Sequence, residues 1–344
     1  MKKTVFAVGL SLFLPTAFAN SLPNIATSVK PVSMVVKAVA GEHANIQQIV
    51  TNNASPHDFA LRPSDLKKLN QADFVVWVGE SLETFLEKPL DNVGKLESSI
   101  EWMALDNVVL ASFSDDHDDH KGHDDHEGHD DHEGHDDHEG HDDHEGHDDH
   151  KGHDDHKGHD DHKGHDDHEG HDHTGLDPHV WLNPNNAIVL ARQIEKRLSE
   201  IAPSYKAKYQ QNLQQFIDKT EKKDKEIRQS LEALHGVNYV VFHDAYGYFE
   251  RQYGISHIAE ISVSPERKPG AKKVAELRHL VEEDGVSCIY AEPQFNPAII
   301  RALTEGSDVM VSTLDPLGSD ITLDENAYTN FLTGLSQQFL MCKS

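Results

Sequence analysis

The stretch Tyr239-Val240-Val241-Phe242-His243-Asp244-Ala245-Tyr246-Gly247 decides the architecture. Its apolar run Tyr239 to Phe242 fits a buried strand, and a polar pair, His243 and Asp244, follows at once. A helical pattern runs from Gly247 to Gln252, and a second apolar run from Ile255 to Ile261. The alternation continues with a helix over Ala271 to Glu283, a strand over Cys288 to Ala291 and a helix over Pro297 to Glu305. A strand over Val309 to Leu314 and a closing helix over Ala327 to Leu340 complete it. Strands separated by helical segments predict a parallel sheet, because parallel neighbours need a long crossover. Ligands of open α/β sheets bind outside the carboxyl ends of the strands. His243 and Asp315, each directly after a strand, stand where chemistry is expected.

Upstream, Asn183-Pro184 opens a helix that runs to about Ile201, with a good cap and Pro in its first turn. Pro203 breaks the pattern, and a second helical stretch runs from Ser204 to about Leu234. At 1.5 Å per residue it spans roughly 46 Å, long enough to connect two lobes. Further upstream, Val32 to Val39 is a β-branched run that reads as a strand, followed by Gly41 and a helical pattern over Asn45 to Thr51. Arg62-Pro63-Ser64-Asp65 reads as a helix start with Ser64 or Asp65 near the cap. Phe74 to Val78 is another buried strand, ended by Gly79. The expected fold is α/β: two lobes, over 20–114 with 174–202 and over 236–344, joined by a long helix over 203–235.

Between the halves lies a six-residue repeat, His-Asp-Asp-His-Glu-Gly or His-Asp-Asp-His-Lys-Gly, over 115–173. It contains 20 of the 27 histidines and no aliphatic or aromatic residue. A segment without apolar surface cannot offset its ordering entropy, so a disordered insertion is predicted. Of the formal net charge of −29, −22 resides between Asp115 and Asp172, leaving the rest with an ordinary balance. Such acidity disfavours nucleic acid or an anionic membrane as partner. His-rich composition is metal-binding composition.

Lys2 and Lys3, the apolar run Val5 to Leu14 and Ala17-Phe18-Ala19 form a signal-peptide pattern over residues 1–19. The run is too short to span a bilayer, which takes about 20 residues. No Cys follows the expected cut, which argues against a lipid anchor, and the mature chain is expected to be soluble. Export permits a disulfide. Cys288 and Cys342 are the two cysteines of the chain, and they read as one bridge, a two-cysteine metal site being the rival.

Seven histidines lie outside the tract, and context separates them. His57 sits in a loop, Ser55-Pro56-His57-Asp58; His179 sits in Asp177-Pro178-His179-Val180-Trp181, just before the long helices; His243 ends a strand. With Asp315 they make a set of three imidazoles and a carboxylate, which suits tetrahedral Zn2+. A ligating imidazole donates its second N–H to a carboxylate or carbonyl, and Asp58 and Asp244 are the candidates for that part. His235, His257 and His279 read as ordinary surface or core histidines.

Ser55-Pro56-His57-Asp58-Phe59 with Leu61-Arg62-Pro63-Ser64-Asp65, Asp177-Pro178-His179-Val180-Trp181-Leu182, Val241-Phe242-His243-Asp244-Ala245-Tyr246 and Thr313-Leu314-Asp315-Pro316-Leu317 resemble the signature blocks of the cluster A-I metal-binding receptors, and most closely the periplasmic zinc receptors among them. The resemblance covers the mature chain except the repeat. It implies two Rossmann-like (βα)4 lobes bridged by a rigid helix, with metal in the cleft between them. It implies His57, His179 and His243 as zinc ligands, and a Cys288–Cys342 disulfide. It also implies a periplasmic receptor that delivers its cargo to an ABC permease driven by a cytoplasmic ATPase, and the chain is expected to be a monomer. Where some relatives carry a Glu directly before the first ligand histidine, this chain has Pro56. The fourth ligand is then Asp315, water or a residue from the loop, the first two being favoured. Imidazole ligation favours zinc over manganese.

Two other functions fit less of the sequence. A zinc hydrolase would use three His ligands and an open position to activate water, but the chain has no His-Glu-x-x-His, Gly-x-Ser-x-Gly or Gly-rich phosphate loop. No catalytic residue is therefore assigned. A periplasmic zinc buffer or chaperone would need the same metal site and no permease.

Overall fold

The structure is a computed structural model that describes residues 21–51, 54–113, 175–262, 269–283, 285–295 and 297–343. The signal peptide expected over 1–19 and the His/Asp-rich insertion expected over 115–173 lie outside these residues.

The first lobe holds β1 (Asn24–Thr27), α1 (Lys30–Ala40), β2 (Asn45–Gln48), α2 (Pro63–Gln71), β3 (Phe74–Trp77), α3 (Glu87–Asn92) and β4 (Ile100–Glu101). Its sheet is parallel throughout, in the order β2-β1-β3-β4. Helices α4 (Pro184–Ile201) and α5 (Lys206–Leu231) follow. The second lobe holds β5 (Tyr239–His243), α6 (Gly247–Tyr253), β6 (Ala259–Ser262), α7 (Ala271–Glu283), β7 (Cys288–Ala291), α8 (Ala298–Thr304), β8 (Met310–Thr313) and α9 (Ala327–Leu340). Its sheet is parallel too, in the order β6-β5-β7-β8.

The second lobe follows the expected rhythm element by element. The first lobe corrects two assignments. Val32 to Val39 lies in α1, not in a strand, and Asn45 to Gln48 forms β2, not a helix. Pro31 sits in the first turn of α1, where its missing N–H costs nothing. Nearly every residue of α1 is buried, so packing on all sides overrides the weak strand preference of valine. The strand that precedes it, β1, was not expected. At α2 the Arg62 backbone N–H donates to the Asp65 carboxylate, so the cap lies at Arg62 and Asp65 closes the first turn.

Helix α4 starts as expected, with the Asn183 side chain accepting from the Asn185 N–H. The two 3-10 turns Pro203–Tyr205 and Glu232–Leu234 flank α5. Helix α5 packs on α1, α4 and α9 together, and so ties both halves into one body. One apolar cluster runs from Ile25 and Val75 in the first lobe, through Tyr209 and Phe216 of α5, to Tyr239, Tyr290 and Phe339 in the second. A smaller cluster, with Val240, Phe242, Ile261, Leu277 and Ile289, fills the outer face of the second sheet. Alternate residues of β5 therefore serve two different cores, as the strand period of two requires. The expected Cys288–Cys342 disulfide is present and joins β7 to the end of α9, with the Cα atoms 5.5 Å apart. Among the described residues no helix is long and apolar enough to cross a membrane.

Candidate metal centre

His243 is the last residue of β5, so its ring emerges at the carboxyl end of the second sheet. Strand β5 pairs with β7 in the register Tyr239↔Cys288 and Val240↔Ile289. Extending that register places Glu292 beside His243, and the Glu292 Oε1 lies 2.7 Å from the His243 Nδ1. His179 precedes a buried 3-10 turn, Val180–Leu182, that leads into α4. Its backbone N–H donates to the Asp177 Oδ1 at 3.0 Å, and its Nδ1 lies 2.7 Å from the same oxygen. Asp177 is fixed in turn through its backbone: its N–H donates to the Ala111 carbonyl, and its carbonyl accepts from the Tyr248 hydroxyl. His57 stands in the loop between β2 and α2, where its N–H donates to the Ser55 Oγ at 3.3 Å.

These rings meet. The donor nitrogens of His57, His179 and His243 all lie within 4.8 Å of one another. The Nε2 atoms of His179 and His243 are 3.4 Å apart. Ring centroids are 5.3 Å apart for His57 and His179, and 5.9 Å for His57 and His243. His179 and His243 are buried, and His57 is half-buried.

A carboxylate only accepts, so Asp177 and Glu292 leave the proton on Nδ1 of each ring and bare the Nε2 toward the centre. That is the tautomer a cation needs. Asp58 and Asp244, expected in this part, do not take it at His179 or His243; Asp177 and Glu292 do. The Asp177 signal was present in the sequence, two residues before His179. Glu292 is 49 residues from its partner, and only the strand register reveals it.

The electrostatics separate the two buried rings. Burial, and then the charge of His243, hold His179 well below the ordinary imidazole range. Burial also opposes charge on His243, but Glu292, Asp244 and Asp177 outweigh it and raise this group. Burial pushes the Asp177 carboxyl up to about 7.

Asp315 is not brought into the triad. Its Oδ1 accepts from the Leu317 N–H at 3.1 Å, and its Oδ2 from the Ser319 N–H, so the carboxylate caps its own turn. Of the two favoured fourth ligands, Asp315 and water, the carboxylate here turns to its own turn and to the Gln294 amide. The neighbours of Asp315, Pro316 and Leu317, wall the site instead. Pro316 is anchored there by the Trp181 indole N–H, which donates to its carbonyl at 2.8 Å. The cavity inside the triad is about 20 Å3 and is lined by Pro56, Trp181, Phe295, Pro316 and Leu317 among others. Such a volume admits one water-sized guest, since about 10–15 Å3 is needed for a water.

The family model of ZnuA, the periplasmic component A of a zinc-uptake complex, matches residues 25–342. The chain belongs to the ZnuA family. The high-affinity zinc uptake system protein ZnuA of Haemophilus influenzae is 40% identical over 342 residues, covering 99% of each chain. Its counterpart in Yersinia pestis is 36% identical over 343 residues, covering 99% of this chain and 97% of that one. A crystal structure of ZnuA superposes with a TM-score of 0.69 at 20% identity, covering 94% of this chain and all of that one. That likeness bears on the ZnuA fold, which this chain shares in both of its parallel sheets.

Proposed function

We propose that this chain is the periplasmic receptor that binds Zn2+ with high affinity and delivers it to an ABC importer for zinc uptake. The observation that carries the reading is the convergence of three imidazoles from distant segments, His57, His179 and His243, on one small cavity. Membership of the ZnuA family supports the same function and a non-enzymatic role. Zinc is cargo here, held by the Nε2 atoms that Asp177 and Glu292 expose, and the partner is a zinc permease with its ATPase.

The rest of the reading follows from the sequence. Residues 1–19 are a signal peptide removed on export. The mature protein works as a monomer without a membrane anchor. Residues 20–114 and 174–202 form one lobe, 203–235 the connecting helix and 236–344 the other lobe. The 115–173 tract supplies weak, unselective metal sites that gather zinc when supply is low. His57, His179 and His243 provide three ligands, and solvent occupies the fourth position that Pro56 and Asp315 leave to it.

The test is a zinc titration of protein lacking Asp115 to Asp172. One tight site is expected; none would end the reading. Zinc uptake at limiting zinc should fall when the tract is removed, and equal uptake would dismiss its gathering role. A buffer without a transporter predicts no specific complex with a zinc permease and no zinc-starved growth on deletion of the protein.

A further inference from the structure

The wall of the metal cavity contains few polar atoms, and most are engaged. Glu292 is held by His243, and the Ser55 Oγ accepts from the His57 N–H. Gln294 also lines the cavity. Its Nε2 donates to the Asp315 Oδ1 and to the Ser319 Oγ, both at 3.3 Å. Its Oε1 is buried and has no hydrogen-bond partner among the described residues. The orientation of this amide is fixed by chemistry, because the Asp315 carboxylate only accepts and must face the NH2 end. Asp315 is itself immobilised by the Leu317 and Ser319 N–H groups, and its own N–H donates to the Gln338 Oε1. A buried carbonyl oxygen left without a donor is costly, so an orphan beside a binding cavity calls for a ligand that satisfies it.

Three neutral imidazoles leave tetrahedral zinc one position short. We infer that Gln294 is the positioning residue for that position: its Oε1 accepts a hydrogen bond from the water that completes the zinc tetrahedron. Asp315, two steps removed from the metal, sets the amide that holds this water. The inference rests on the reading of His57, His179 and His243 given above. It accounts for how a chain with Pro56 before its first ligand histidine completes the shell without a fourth charged ligand.

The test uses the full-length mature chain, with Co2+ as spectroscopic probe and Zn2+ in competition with a chelator. Low-coordinate Co2+ absorbs far more strongly than the six-coordinate ion, so the spectrum reports the closed site and not weak sites elsewhere. Gln294→Leu and Gln294→Glu both remove the Nε2 donation to Asp315. Only Gln294→Glu keeps an oxygen facing the metal. Gln294→Leu should weaken tight zinc binding about tenfold, which is about 1.4 kcal/mol, while the strong Co2+ absorption persists. Gln294→Glu should bind at least as tightly as the parent. Gln294→Met serves in place of Leu should that variant fail to fold, as judged by thermal unfolding without metal. Equal weakening by Leu and Glu would mean that the amide merely props the 315–319 turn, and would overturn the inference. So would binding by Gln294→Leu within twofold of the parent. A parent chain with no strong Co2+ absorption and no tight site would instead refute the triad reading beneath it.

Discussion

The sheet of the first lobe, β2-β1-β3-β4, and that of the second, β6-β5-β7-β8, share one strand pattern but deliver their histidines to the cluster differently. The second lobe offers His243 from the end of a buried strand, with its carboxylate partner one strand away in register. The first lobe offers His57 from a loop, half-buried and anchored locally through Ser55. A strand end fixes a ring through the sheet register; a loop fixes it through local contacts alone. The sheets also differ in support. Both faces of the first sheet pack into the main core, whereas the outer face of the second has a core of its own, and its edge strand β8 leaves Met310 and Val311 exposed. The disulfide joins β7 to the end of α9 within the main core.

The difference can be broken at the ligands first. His243→Ala and His179→Ala should abolish tight zinc binding, a loss of at least several hundredfold in chelator competition, and leave weak binding by the tract. His57→Ala should also lose the tight site but retain measurably more affinity than His243→Ala, and equal residual affinities would erase the distinction between strand and loop. Imidazoles must shed their protons to ligate, and His243 holds its proton more firmly than a free imidazole. Zinc affinity should therefore fall from pH 7.5 to pH 5, and a flat profile would exclude imidazole ligation.

Opening the disulfide probes how the second sheet is tied to the main core. Cys288→Ser with Cys342→Ser should lower stability by about 4 kcal/mol on the loop-entropy model, read by chemical denaturation of the metal-free chain. Zinc affinity should change little, because neither cysteine lines the cavity.

A buried pair in the same lobe gives a pH signature. The His257 Nδ1 lies 2.9 Å from the Glu250 Oε2, and Glu250 also accepts from the Tyr239 hydroxyl. Burial opposes charge on His257, but the bond and charge of Glu250 prevail and lift it to about 9. The folded value exceeds the unfolded one, so this stabilisation is complete below about pH 6.5 and is lost as pH rises through 9. It amounts to about 3 kcal/mol at most. His257→Gln should flatten the fall in stability across that window, measured by denaturant titrations at successive pH values.

The smallest effect should come from the carboxylates behind the ligands. Asp177→Asn and Glu292→Gln should each weaken zinc binding by roughly 10–100-fold. Neither removes a ligand. An unchanged affinity in both would show that ring orientation is set by packing alone, with the carboxylates incidental.

Much of this was legible from residue types in order. Apolar runs broken by helical stretches gave the second lobe almost element by element, because each strand there is short, buried and bounded by turn residues. The same reading misassigned Val32 to Val39, since a valine run buried on every side has no period to distinguish helix from strand. His57, His179 and His243 were singled out by their places at element ends, and each was found in the cluster. Asp315 stood at an equally suitable strand end, yet its oxygens turned to the backbone of the next turn.

The sequence by itself determined the α/β class, the clustering histidines as a class of residue at strand and loop ends, and the cysteine pair, because each follows from local composition and order. Tertiary structure decided which of those side chains meet, that Glu292 stands behind His243, and that Gln294 rather than Asp315 faces the cavity. The reason is physical: the direction of a side chain and the partner it finds depend on strand register and on packing between segments tens to hundreds of residues apart, and no local pattern encodes either.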